Sequence, residues 1–217
     1  MRRAPRHEAV EASQLLAACA LLLEYPDDEL RVAAAPIPDL LAGLAPAPPV
    51  VALLRFARWW STCDVGELER QYVETFDLRQ RCSLYLTYYS EGDKRGRGMA
   101  LLRLRKLYRA AGLPMASDEL PDHLAVMLEF AAHAPGGRGI AILREHRATL
   151  ELLRLALVDQ GSPYADVLAA VAGVLGEPTA GERVRAATLA TNGPPRELVG
   201  LEPFAPPDVM PSAEARR

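Results

Sequence analysis

The chain has 217 residues, half of them apolar and 24% charged, with a formal net charge of −3. That length suits one domain with an appended segment, and the apolar share can bury a sizeable core. The charge speaks against a whole-molecule basic field for nucleic acid or anionic membrane. Three separated cysteines, Cys19, Cys63 and Cys82, speak against a disulfide framework or a CxxC metal site and fit a reduced, cytoplasmic setting.

Leu, Ala, Arg and Glu recur at helical spacing and alternating β-branched runs are nearly absent, so the expected fold is all-α: a single-domain bundle of about eight or nine helices. From about His7 to Leu23 one apolar face includes Val10, Ala17 and Leu21, and Tyr25-Pro26 closes that helix because the residue before proline is pushed out of the α region. The basic start MRRAPR is interrupted by Glu8 and Glu11, which reads as a helix and not as a signal peptide, and no apolar run reaches the ~20 residues of a membrane span. Asp27 caps a short helix, DDELRVAAA, and a Pro-rich connection follows. VVALLRFARWWSTC is a helix ending near Cys63, and Asp64 with Glu67 has capping-box spacing for a helix running through Tyr72 and Phe76. SLYLTYY reads as another helical stretch, and GRGMALLRLRKLYRAAG as a helix with Gly112 as its C-cap.

LPDHLAVMLEFAAH is a helix with Asp122 near its start. ILREHRATLELLRLALVDQG is one long helix to Gly161, and Ser162-Pro163 open a further helix to Gly176. The expected division is a helical domain over 1–176 and a Pro-rich, partly flexible tail over 177–217. The tail holds seven of the eighteen prolines and a candidate short helix, GERVRAATLA.

No catalytic constellation is visible. His7, His123, His133 and His146 form no HExxH and share no i, i+4 pair, Glu129 with His133 reads as a packing pair, and there is no GxSxG or Walker loop. A small hydrolase therefore has nothing behind it. Lys94, Arg95, Arg97, Arg103, Arg105, Lys106 and Arg109 form an acid-free basic run after Gly92, either a solvated helix face or a patch for an anionic partner. Used on DNA, segment 94–109 would make the chain a helical nucleic-acid-binding regulator, the rival reading, although no recognition motif accompanies it. The segment YVETFDLRQRCSLYLTYY stands apart, with five of the thirteen aromatic residues: Tyr72, Phe76, Tyr85, Tyr88 and Tyr89. Tyr72 and Phe76 are i, i+4, as are Leu84 and Tyr88. Rings with polar tips suit either core packing or a partly wet groove.

YVETFDLRQRCSLYLTYYSEGDKRGRGMALL, YRAAGL and DELPDHLAVMLEFAA resemble the delta-subunit (NarJ-type) assembly chaperones of respiratory nitrate reductase, within the redox-enzyme maturation chaperones, over about Leu15 to Gly176. The resemblance implies a non-catalytic, all-helical protein. It would bind the N-terminal segment of the apo catalytic α subunit and support molybdenum cofactor insertion before membrane docking, with no stable membrane association. It implies no stably bound cofactor, the molybdenum cofactor being handled by the client, and makes cofactor biosynthesis proteins further candidate partners. The family's peptide-groove motifs fall on Tyr72 and Phe76, on Ser83 and Tyr85, and on Pro121, Asp122 and His123. Leu84 and Tyr88 complete the expected furrow. Glu74, Glu119 and Asp122 are expected to meet basic residues of the client peptide. His123 is a candidate modulator of release if it titrates near neutrality, against ordinary helix capping by Asp122-His123.

Overall fold

The computed structural model describes residues 5–91, 95–115 and 118–192. Among these there is no strand; a single isolated antiparallel bridge joins Tyr85 to His123. Ten helices have seven or more residues.

The first half follows the expected punctuation. α1 (Pro5–Leu22) buries Leu15, Leu16, Cys19 and Leu22 and stops ahead of Tyr25-Pro26. Asp27 accepts from Leu30 N at 2.7 Å and opens α2 (Asp28–Ala34). The Pro-rich connection contains an extra short helix, α3 (Ile37–Ala42), with Pro38 in its first turn, where a missing N–H costs nothing. α4 (Pro48–Thr62) likewise begins on two prolines and ends at Cys63. Asp64 caps α5 (Val65–Tyr72) through Gly66 N at 2.9 Å. Glu67 does not complete a capping box, since its carboxylate takes Arg70 at 2.6 Å and Gln71 at 3.1 Å. α5 is extended by one π turn, Val73–Asp77, in which Leu78 N donates to Val73 O at 3.1 Å.

The next stretch departs from expectation. Ser83 to Thr87 is not helical; only Tyr88–Glu91 forms a turn of helix, α6. The Ser83 hydroxyl accepts from Tyr85 N at 3.3 Å, a local bond that competes with helix. Leu84 and Leu86 then spend their backbone groups on the segment before α8. α7 (Arg95–Ala110) and α8 (Leu124–His133) follow, and Gly112 takes the left-handed conformation (φ 79°) that ends α7. The single long helix expected to end at Gly161 is two, α9 (Arg138–Glu145) and α10 (Arg147–Asp159), broken at His146 (φ −94°, ψ 11°). α11 (Ala165–Leu175) ends at Gly176. The candidate short helix is α12 (Ala180–Asn192), which packs on α10, so the packed structure continues past Gly176. The remainder of the expected tail, 193–217, lies outside the described residues.

α1 packs on α8 and α11, α11 on α4 and α10, and α8 on α9. Gly139 of α9 lies so close to Ala131 of α8 that a β-carbon there would collide with backbone, so this crossing demands glycine. Each fully buried leucine of the core, such as Leu23, Leu53, Leu128 or Leu153, contributes about 1.5–3 kcal/mol. The ring-rich segment joins this core at one point. Tyr164 is fully buried at the start of α11 and stacks against Phe56 at 4.9 Å and Phe76 at 4.8 Å, with Tyr72 at 6.2 Å.

Candidate peptide-binding site

Two loops with no regular structure of their own are fastened to each other. Leu86 N donates to Asp122 O at 3.0 Å and Leu124 N to Leu84 O at 2.8 Å. The Asp122 carboxylate accepts from Thr87 N at 3.2 Å and from the Thr87 hydroxyl at 2.5 Å. Tyr108 of α7 donates to Pro121 O at 2.6 Å, and the Tyr89 hydroxyl to Arg81 O at 2.9 Å and Ser83 O at 3.1 Å. These bonds fix segment 83–87 without a helix and bring Tyr85 and Tyr88 to one crevice.

Beside this staple lies a crevice of about 240 Å³, walled by Phe76, Tyr85, Tyr88 and Arg97, with Asp77, Gln80 and Ser83 completing it. The π turn places Phe76 between crevice and core, its ring 7% exposed with the inner edge on Tyr164. Arg97 spans the other side: its guanidinium lies 5.6 Å over the Tyr85 ring and 3.7 Å from the Asp122 carboxylate. The Tyr85 hydroxyl donates to Glu119 at 3.2 Å; burial, reinforced by that carboxylate, pushes its pKa up to about 12, so it stays a donor. The site offers three rings, two of them with polar tips, a cation held from below by a buried anion, and carboxylates at its edge. That suits the side chains of a bound segment more than any bond-breaking step.

Nine of the eleven expected site residues divide into three sets, and Glu74 and Glu119 stand apart. Phe76, Ser83, Tyr85 and Tyr88 line the crevice. Tyr72 and Leu84 are core residues at 7% and 3% exposure, and the Tyr72 hydroxyl donates to Leu23 O at 3.2 Å. Pro121, Asp122 and His123 are buried behind the crevice as its scaffold. Asp122 is sealed at 0% exposure with its charge committed to Thr87 and Arg97, and so cannot meet a client's cation. Glu74 is exposed but pairs with Arg70 at 2.8 Å. Glu119 is half-buried and accepts from Leu120 N as well as from Tyr85. His123 is buried behind Tyr85 (rings 5.2 Å apart), and desolvation holds its pKa below the ordinary histidine range despite the nearby carboxylates of Glu119 and Asp122. Neutral at physiological pH, it is poorly placed to trigger release. Asp77 and Gln80 were not anticipated; their closeness to Phe76 in sequence was the available signal.

The expected basic patch does not hold together as one surface. Lys94 and the side chain of Arg95 lie outside the described residues, Arg97 turns into the crevice, Arg103 pairs with Glu145 at 2.9 Å, and Arg105 and Lys106 are exposed. Among the described residues no group of three or more His, Cys, Asp and Glu could hold a metal ion, and no helix is long and apolar enough to cross a membrane. Burial drives the Cys19 thiol far above its ordinary pKa, as expected of a small hydrophobe.

The nitrate reductase delta subunit family model matches residues 46–170, a span that contains the whole crevice. The chain belongs to this family. It is 33% identical over 154 residues to a probable nitrate reductase molybdenum cofactor assembly chaperone, NarJ, of Bacillus subtilis, covering 70% of this chain and 82% of that protein. To the Escherichia coli K12 assembly chaperone NarJ it is 35% identical over 146 residues, 66% of this chain and 62% of that one. The nitrate reductase-like protein NarX of Mycobacterium tuberculosis is 43% identical over 101 residues, 46% of this chain but only 16% of NarX. A solved structure described as a redox enzyme maturation protein, from Archaeoglobus fulgidus, shares the fold with a TM-score of 0.57 at 24% identity, covering 76% of this chain and 94% of that one. The relatives from Bacillus subtilis and Escherichia coli are both named as molybdenum cofactor assembly chaperones.

Proposed function

We propose that this member of the delta subunit family is the assembly chaperone of a respiratory nitrate reductase. It holds the N-terminal segment of the apo catalytic α subunit while the molybdenum cofactor is inserted, and lets go before the client docks at the membrane. The observation that carries this reading is the open crevice walled by Phe76, Tyr85, Tyr88 and Arg97, inside the span that the family shares. A segment anchored there buries one or two apolar side chains at about 1.5–3 kcal/mol each. Ordering a flexible peptide costs about 2–5 kcal/mol. The remainder, with polar contacts to Arg97 and Ser83, suits a hold that is occupied and then released. The cofactor is cargo for the client, and the chaperone acts by keeping the client's leader covered.

Calorimetry with a peptide copying the N-terminus of the α subunit tests the proposal. Saturable binding is expected, weakened by about 1–2 kcal/mol in Tyr88→Ala and unchanged in Arg105→Ala. Equal binding by wild type, Tyr88→Ala and Phe76→Ala would refute the location. Binding to duplex DNA alone, falling steeply with salt, would favour the nucleic-acid reading.

A further inference from the structure

A cavity of about 340 Å³ lies between α6, α7, α10 and α12 and shares no lining residue with the crevice. It opens onto the break between α9 and α10, where His146 stands. α10 has 13 residues, and its first bond of helical type runs from Leu150 N to His146 O at 3.0 Å. The amides of Arg147, Ala148 and Thr149 stand ahead of that ladder, and no side chain caps them. Ala148 and Thr149 line the cavity. Thr149 is only 4% exposed, yet its hydroxyl has no hydrogen-bond partner among the described residues, and neither has the His146 ring. Buried hydroxyls are ordinarily paired; this one borders the cavity with a donor to spare. The charges around it are unevenly matched. Glu145 pairs with Arg103 at 2.9 Å, and the Glu91 carboxylate lies against Gly96 in the first turn of α7, where a helix start favours an anion. Arg185 of α12 forms no ion pair among the described residues. Its helix is firmly placed: Thr179 and Glu182 exchange bonds at 2.6 and 3.2 Å in a capping box, and α12 packs on α10. Ala100, Leu104 and Leu189 supply apolar lining.

We propose that this cavity binds a small organic phosphate. The oxyanion meets the open amides at the start of α10, the Thr149 hydroxyl and the Arg185 guanidinium, and the organic part rests on Leu104 and Leu189. An uncapped helix start joins outward-pointing donors to the positive end of the peptide dipoles, which favours an anion over a neutral ligand. Amides, a hydroxyl and a guanidinium together suit the three terminal oxygens of a phosphate monoester. The volume falls within the range of small-molecule pockets, about 300–1,000 Å³, and leaves room for the organic part. Nothing in this assignment depends on client binding, since the two recesses have separate walls.

Calorimetry on the full chain with phenyl phosphate tests the site, with inorganic phosphate and benzoate as comparison probes. Saturable binding of phenyl phosphate is expected, about tenfold tighter than that of either comparison. Thr149→Val and Arg185→Gln should each weaken it about tenfold, Thr149→Ser should keep it, and Glu145→Gln should tighten it by removing a like charge. Arg185 is exposed, so Arg185→Gln reports on the ligand even where Thr149→Val disturbs the fold. Absence of saturable heat up to roughly 10 mM overturns the site. So does equal affinity in wild type, Thr149→Val and Arg185→Gln. A loss as large in Arg105→Gln overturns it too, by moving the anion to the outer face of α7. Benzoate bound as tightly as phenyl phosphate overturns the phosphate, and inorganic phosphate bound as tightly overturns the organic part. Tyr88→Ala, which should weaken the client peptide, is expected to bind phenyl phosphate as wild type does, so the two readings fail separately.

Discussion

Asp122→Ala separates scaffold from contact surface. The side chain is sealed, receives two hydrogen bonds from Thr87 and stands 3.7 Å from the Arg97 guanidinium. Hydrogen bonds to a charged group contribute about 1.5–3 kcal/mol, and removing one member of a buried pair costs about 3–5 kcal/mol because its partner is left uncompensated. Arg97 keeps 18% exposure and recovers some water, so the lower end applies: about 3 kcal/mol. For a chain of this size that is a fall of about 6–12 °C in Tm. Urea unfolding should show the loss directly, Asp122→Asn should lose less, and adding Thr87→Val to Asp122→Ala should return part of it by removing the orphaned hydroxyl. A variant as stable as wild type that has nonetheless lost peptide binding would refute the reasoning, because Asp122 would then touch the client and not the fold.

Four further outcomes are expected. Gly139→Ala should destabilise by about 1–3 kcal/mol in urea unfolding, since its β-carbon meets the Ala131 backbone. Tyr72→Phe should cost about 1 kcal/mol of stability, the worth of its bond to Leu23 O, with peptide affinity in calorimetry unchanged. His146 has its pKa lowered by burial, although Glu145 and Asp122 pull it upward. The unfolded chain therefore binds that proton first, and stability present above about pH 6.5 is lost as pH falls toward the folded value; urea midpoints should drop below pH 6.5 and drop less in His146→Gln. Glu119→Gln should weaken binding of the α-subunit peptide in calorimetry at low salt, and less so at high salt.

Much of the architecture was legible because its signals are local. Asp27, Asp64 and Gly112 act within one turn of themselves, and Pro26 acts on its neighbour, so caps and stops read straight from the chain. Segment 83–87 was illegible for the opposite reason. Its apolar and aromatic content fits a helix, and what prevents one is a partner 35 residues away, Asp122, together with the backbone of Leu124. The ring-rich segment supplies three walls of the crevice, Phe76, Tyr85 and Tyr88, but charge alone could not separate an acid near the surface from one that holds a loop. Asp122 and Glu119 look alike in the sequence; only burial distinguishes them. Tyr72 and Tyr88 differ in the same way, one closing on Tyr164 and the other facing out.

The stapling of 84–86 to 122–124 also bears on how the protein comes into being. A recess whose wall is held in place by a sequence-remote segment cannot take this shape in a nascent or half-collapsed chain, because the loop between 86 and 122 must close first. Under the proposed client-binding role, the capacity to grip therefore emerges late in maturation, and an immature copy lacks the seat for a client segment. Competence for the task is thus coupled to completeness of the helper itself, with no separate checkpoint required.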